Sequence, residues 1–294
     1  MRRGAYLLLV TFIMGIISGC TPSETSDTTY VIPVSSASSV TSQMTEQTPM
    51  SSDITEEIIE TTPEVTPEIT PEPTPEPQYI EPTSDEPVWY NGFVDPYTVR
   101  AEIISDPDDI LALVNKYYAV PEDYVPSDLV TAPHSYDQKL RSECNDAWVK
   151  MYDDCYEATG QGLLLVSGWR DLWTQQYLFD RSKNKNGYAF ACMKNALPQR
   201  SEHHLGLALD ITPAYLDNIT DDFASTTVGM WVNEHCYEYG FILRYQAQYT
   251  DETGYGIEAW HYRYVGVEVA TYLYENDMSL EAYLGKAQVL PDDE

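Results

Sequence analysis

Ser201-Glu-His-His-Leu-Gly-Leu-Ala-Leu-Asp-Ile211 is the stretch on which the fold of this chain turns. Leu205, Leu207, Leu209 and Ile211 alternate with Gly206, Ala208 and Asp210, the period of a half-buried strand. Small residues beside Asp210 leave room for an ion and a substrate over that face. His203 and Asp210 differ in parity, so a straight strand directs them to opposite sides. Both serve one site only if the histidine precedes the strand, in a bend assisted by Gly206. Further on, Glu258-Ala-Trp-His-Tyr-Arg263 puts a glutamate three residues before a histidine, a spacing that shares a face across a turn and not along a regular strand. A bend near Ala259 is therefore expected. Together the two stretches hold the inventory of a hydrolytic metal site: three ligands, an open position for water, and a base. On spacing alone, His203 and His204 are equal candidates.

Working outward, Leu163-Leu-Leu-Val166 reads as a buried strand that ends in Ser167-Gly-Trp-Arg170, before a helix opening near Asp171. At such a strand-to-helix turn Arg170 is placed to bind a carboxylate or a developing oxyanion. Leu140, Cys144, Ala147, Trp148, Met151, Cys155 and Ala158 recur at helical spacing, with Gly160 as the stop signal. Cys144 and Cys155 are about 16 Å apart along that helix, too far to bridge, and read as core residues. Cys192 and Cys236 lie outside it, and an exported chain permits either a disulfide between them or two reduced thiols. A helix over 228–239 stopped by Gly240, a strand Phe241-Ile-Leu-Arg-Tyr245, a strand around 261–265 and a helical segment over 266–284 complete the periodic part.

The N-terminal third has a different composition. Met1-Arg-Arg3 leads into an apolar run from Ala5 to Ile17 and then Ser18-Gly-Cys20, the layout of a secretory signal. Ile17-Ser-Gly-Cys20 resembles the lipobox of bacterial lipoproteins, which implies cleavage before Cys20, lipidation of its thiol and export to the outer side of the membrane. Residues 21–90 contain no Lys or Arg and fourteen Asp and Glu among Ser, Thr and Pro, with Thr-Pro-Glu repeated at 62–64, 66–68, 70–72 and 74–76. That composition cannot bury enough apolar surface to offset its ordering entropy, so a disordered, extended spacer is expected over 21–90 and a folded domain over 91–294. Of the formal charge of −31, the spacer contributes −14 and the remainder beyond it −19. An acidic domain on an acidic stalk argues against a nucleic-acid partner, whose phosphates call for a basic footprint.

Five histidines limit the ways a metal site can be built: His134, His203, His204, His235 and His261. His-Glu-x-x-His and Cys-x-x-Cys are both absent. Ser201-x-His203-x-x-Gly206-x-Ala208-x-Asp210 joined to Glu258-x-Trp260-His261-x-Arg263 resembles the VanY-type D-alanyl-D-alanine carboxypeptidases, peptidase family M15, with the hedgehog-like zinc peptidase fold. Ser167-Gly-Trp-Arg170, Phe241-Ile-Leu-Arg-Tyr245 and Thr253-Gly-Tyr255 follow in the family's order. The resemblance implies an α+β fold, a small and mainly antiparallel sheet flanked by helices. It implies one zinc ion on His203, Asp210 and His261, with Glu258 as the base and Arg170 as a second catalytic group. Arg170, Gln175, Ser201, Tyr245 and Trp260 match substrate-pocket positions. Trp169, Asp171 and Ala259 depart from the family's more frequent Tyr, Ser and Pro, which touches pocket shape and not the metal set. The implied reaction removes the C-terminal D-alanine of a peptidoglycan stem peptide. Its alternatives are an L,D-carboxypeptidase, a D,D-dipeptidase, or a surface module that binds wall peptide without cleaving it. The expected partners are wall peptide and, through Cys20, a membrane, with the chain itself a monomer.

Overall fold

The structure, a computed structural model, describes residues 76–287. The signal segment with Cys20, the linker as far as residue 75 and the residues after 287 lie outside the described residues. Short strands open the fold: β1 (Gln78–Ile80), β2 (Trp89–Tyr90), β3 (Phe93–Val94), β4 (Ala101–Ile103) and β5 (Tyr118–Ala119). β1 pairs antiparallel and β5 parallel with β4, while β2 and β3 form a hairpin. The strands at 78–80 and 89–90 fall within the range that composition assigns to the spacer, so folded structure begins before residue 91. The proline- and acid-rich sequence hides them because β1 is held by its ladder to β4 and by the Glu81–Arg100 ion pair, neither of which is local.

A second hairpin, β6 (Leu129–Thr131) with β7 (Lys139–Arg141), leads directly into α1 (Ser142–Thr159), which Gly160 ends at φ 68°. Leu140 therefore belongs to β7 and not to the helix. Then follow β8 (Leu163–Ser167), α2 (Leu172–Asn186), α3 (Tyr188–Lys194), β9 (Ala208–Pro213), α4 (Thr227–His235), β10 (Phe241–Tyr245), α5 (Thr250–Thr253), β11 (Glu258–Tyr264), α6 (Val267–Glu275) and α7 (Leu280–Tyr283). Asp171 caps α2 by accepting from the Thr174 amide at 2.7 Å. Among the described residues no helix is long and apolar enough to cross a membrane.

β10, β11, β9 and β8, in that order, form an antiparallel four-stranded sheet. Cross-strand partners share a face, and here the two faces differ in chemistry. Leu209 opposite Tyr262, Ile211 opposite Leu165 and Phe241 opposite Tyr264 build the main core with Trp148, Met151 and Cys155 of α1 and Val228 and Val232 of α4. Each such side chain, fully buried, contributes about 1.5–3 kcal/mol. On the other face Asp210 lies opposite His261, and Ala208 opposite Arg263. Every residue of β9 is buried, not half of them as its alternation suggests, because the polar face is itself covered by the groups of the site.

The four cysteines of the described residues are buried free thiols. Cys192 packs with Phe179, Ala191 and Leu197, whereas Cys236 belongs to the main core, so the pairing of these two is not made.

Candidate active site

Local geometry resolves the parity problem of both stretches. Ser201 precedes a single 3-10 turn over Glu202–Leu205 and accepts the His203 amide at its Oγ, and Gly206 closes the turn at φ 66°. His203 thus stands before the strand, and Asp210 on it. At the other stretch β11 is continuous, and its departure from regularity is a bulge: Leu243 pairs with Tyr262 and Tyr245 with Glu258, so two steps on β10 span four on β11. The expected bend near Ala259 takes this form, and it brings Glu258 and His261 to one cleft.

One donor atom each from His203, Asp210 and His261 lies within 4.8 Å of the others. His203 Nε2 is 3.3 Å from Asp210 Oδ2, and His261 Nδ1 is 2.9 Å from Asp210 Oδ1. The Gly168 carbonyl, which only accepts, takes the His203 Nδ1 proton at 2.6 Å and leaves the Nε2 lone pair facing Asp210. Glycine is needed at 168 because a Cβ there would stand 2.4 Å from the Lys139 carbonyl oxygen. Burial, assisted by the charge of Arg170, lowers the His203 pKa to about 4 and keeps the ring neutral, the form in which imidazole is a ligand. Burial also opposes charge on His261, yet its hydrogen bonds to Asp210 and Glu202 raise its pKa to about 9. For Asp210 the burial penalty is outweighed by His203 and Arg170, which hold its carboxyl well below the usual range. Two imidazoles and one carboxylate around a common point fit a zinc ion in both ligand type and number.

His204 is not part of the cluster. Its Nδ1 donates to the Arg170 carbonyl at 2.7 Å and its Nε2 accepts the Gln199 amide at 3.1 Å, so both ring nitrogens are spent on the backbone. Glu258 lines the cleft with 7% exposure, and its carboxylate makes no hydrogen bond or ion pair among the described residues. Burial lifts its pKa to about 8, within reach of proton transfer at neutral pH. Arg170 donates to Ser167 Oγ at 2.8 Å, to Gln175 Oε1 at 3.3 Å and to Asp210 Oδ2, so the cation borders the metal set. Gln175, Ser201, Tyr245 and Trp260 all line the same cleft, whose volume is about 380 Å³. Gln175 also holds the chain by donating to the Ala196 carbonyl, and the Tyr245 ring lies 4.9 Å from that of His261. A cavity of about 340 Å³ between β10 and α6 is similar in size but contains none of this chemistry.

Glu202 joins the site without a motif of its own in the sequence. It is 1% exposed and accepts from Arg244 Nε at 2.7 Å and Arg263 Nη1 at 3.0 Å, with its second oxygen 3.2 Å from His261 Nε2. The available signal was indirect: Arg244 occupies a strand that is otherwise apolar and aromatic, and a buried charge is seldom left without a partner.

Comparison with known proteins agrees with this arrangement. Residues 137–267 match the family model VanY, D-alanyl-D-alanine carboxypeptidase. The chain is 40% identical over 195 residues to the putative carboxypeptidase YodJ of Bacillus subtilis (strain 168), covering 64% of this chain and 71% of that protein. Among solved structures it is similar to the LdcB LD-carboxypeptidase, with a TM-score of 0.58 and 39% identity over 64% of this chain and 91% of the other. It is also similar to a mutant of the vancomycin resistance D,D-pentapeptidase VanY in complex with Zn(II), with a TM-score of 0.53 and 31% identity over 59% and 98% of the two chains. With the His203, Asp210, His261 and Glu258 constellation in place on this fold, the chain belongs to the VanY family of D-alanyl-D-alanine carboxypeptidases.

Proposed function

We propose that this chain is a zinc-dependent carboxypeptidase that releases the C-terminal D-alanine of peptidoglycan stem peptides. The observation that carries the reading is the convergence of His203, Asp210 and His261 with the buried, unpaired Glu258 on one cleft. His203, Asp210 and His261 would hold the ion, which when bound supplies a Lewis acid for the scissile carbonyl and lowers the pKa of water. Glu258 accepts the proton of the attacking water and returns it to the leaving amine, two transfers that one group performs when its pKa lies near the working pH. Arg170, fixed by Ser167 and Gln175, offers a guanidinium at the edge of the cleft to the peptide's terminal carboxylate or to the developing oxyanion. Gln175, Ser201, Tyr245 and Trp260 shape the remaining wall. The zinc complex of the related D,D-pentapeptidase supports the choice of metal.

A second reading, L,D-carboxypeptidase action on a tetrapeptide stem, is favoured by the 39% identity to LdcB. Digestion of defined pentapeptide and tetrapeptide muropeptides by the zinc-loaded chain, read by mass spectrometry, separates the two. The expected result is D-alanine release from the pentapeptide, abolished by chelator and restored by zinc. Release from the tetrapeptide alone would transfer the assignment to L,D chemistry, and release from neither would defeat both. Export and anchoring through Cys20 complete the proposal: a lipid on the thiol and an acidic spacer would present the domain to the wall from the membrane surface. Incorporation of labelled fatty acid, lost in Cys20→Ala, is the check.

A further inference from the structure

We propose that Glu202 is a positioning residue for His261: an outer carboxylate, clamped by two buried arginines, that fixes the imidazole with its Nε2 proton turned inward and its Nδ1 turned to the metal site. The inference rests on the metal site of the proposed function and assigns a role to a residue outside the ligand set.

His261 meets a carboxylate at each ring nitrogen. Nδ1 faces Asp210 Oδ1 at 2.9 Å, on the side where the three donor atoms converge, and Nε2 faces Glu202 Oε2 at 3.2 Å. Glu202 is not free to ligate. Its Oε1 takes both guanidinium groups, Arg244 Nε at 2.7 Å and Arg263 Nη1 at 3.0 Å. The clamp is itself anchored. Arg244 donates through both terminal nitrogens to Glu281 of α7, at 2.8 and 2.6 Å, and Glu281 also accepts from Asn115 at 3.2 Å. Arg263 donates to the carbonyls of Ile110 and Ala112, each at 2.9 Å. Two arginines and two glutamates balance within the network, which leaves Oε2 of Glu202 for the imidazole alone. Orientation of a ligand histidine by a carboxylate fixes its tautomer and raises its basicity.

The carboxylate is required chemically. A glutamine at 202 has one acceptor oxygen for three donors. Its NH2 must face a guanidinium or the His261 Nε2 proton, and the second case is relieved only by moving the ring proton to Nδ1, where it occupies the metal-facing lone pair.

The test uses the full chain, with zinc affinity measured by chelator competition. Glu202→Gln and Glu202→Asp are expected to bind zinc roughly 10–100-fold more weakly. Glu281→Gln, at the far end of the clamp, is expected to lower the unfolding midpoint while leaving zinc affinity within about twofold of the parent. Wild-type affinity in both Glu202 variants would overturn the proposal, as would a loss in Glu281→Gln equal to theirs. If neither Glu202 variant folds, nitrogen NMR of the imidazoles in the unaltered zinc-loaded chain decides: a protonated Nε2 on His261 supports the proposal, and a protonated Nδ1 refutes it. Failure of the parent chain to bind zinc at all would count against the proposed function instead.

Discussion

Two glutamates line the cleft that holds His261, and the molecule treats them in opposite ways. Glu202, in the turn before β9, is surrounded by guanidinium groups and held as a carboxylate. Glu258, at the start of β11, is also buried, at 7% exposure against 1%, but has no ion-pair partner among the described residues, and burial raises its pKa to about 8. Burial penalises ionisation at both positions, so the difference lies in the partners. A buried carboxylate with matched cations is fixed in charge and geometry, which suits orientation. Without them the same group exchanges a proton near neutrality, which suits catalysis.

The comparison breaks first at Glu258. Glu258→Gln is expected to cost about 10²–10⁴-fold in kcat, with zinc affinity and the unfolding midpoint close to those of the parent, because no buried ion pair is lost. Retained turnover in that variant would remove Glu258 from the mechanism. Arg244→Met is the reverse case. It leaves Glu281 and part of Glu202 without a cation, and about 3–5 kcal/mol of stability should disappear in urea titrations. A loss below about 1 kcal/mol would mean that water reaches and solvates the network.

Lys116 extends the contrast to a cation. It is fully buried, donates to the Val94 carbonyl at 2.8 Å and has no ion-pair partner among the described residues. Burial lowers its pKa from the ordinary 10.5 to about 7, despite the favourable charge of Asp95. Between those values the unfolded chain binds more protons than the folded one, so this residue makes stability rise with pH above 7 and weaken as pH falls toward it. The difference in urea midpoint between the parent chain and Lys116→Met, followed from pH 7 to 9, should move in favour of the parent as pH increases. A flat difference would show that Lys116 keeps its proton through that range.

Local signals announced themselves in the sequence, and partners distant in the chain did not. Gly160, Asp171 and Gly240 mark helix ends by their own conformational and capping preferences, and the structure uses each as a cap. The odd spacings of His203 to Asp210 and of Glu258 to His261 required two departures from a straight strand, found as a 3-10 turn and a bulge. The form of the second was hidden because a bulge is defined against its partner strand. Glu202 stood within the deciding stretch and carried no mark of its own, since its meaning comes from Arg244 and Arg263, contributed by other strands. The burial of β9 on both faces escaped notice for the same reason.

The two departures from regularity can themselves be compared, and the turn has the sharper sequence requirement. Gly206 must hold φ at 66° so that the chain reverses between His203 and β9, a conformation that costs an L-residue roughly 1–2 kcal/mol. Its missing Cβ also matters: one built there would stand 2.9 Å from Leu129 Cδ2 and 3.1 Å from Arg141 Cγ. The Arg141 backbone nitrogen follows at 3.3 Å and Arg141 is itself held by Asp128, so Gly206→Ala should fold only with local adjustment, at a penalty of at least about 1–2 kcal/mol. The bulge on β11 has no positive-φ residue between Glu258 and Tyr262, so its backbone does not call for a glycine. Zinc titration of the glycine variant adds a second readout. The Gly206 amide donates to the His203 carbonyl at 3.2 Å, which makes the turn the element that delivers His203 to Asp210. If relaxation at residue 206 moves that turn, zinc binding weakens along with stability. A variant that loses the stability but keeps full zinc affinity would instead locate the hold on His203 in the Gly168 carbonyl, which grips the ring from the residue after β8 and does not depend on the turn.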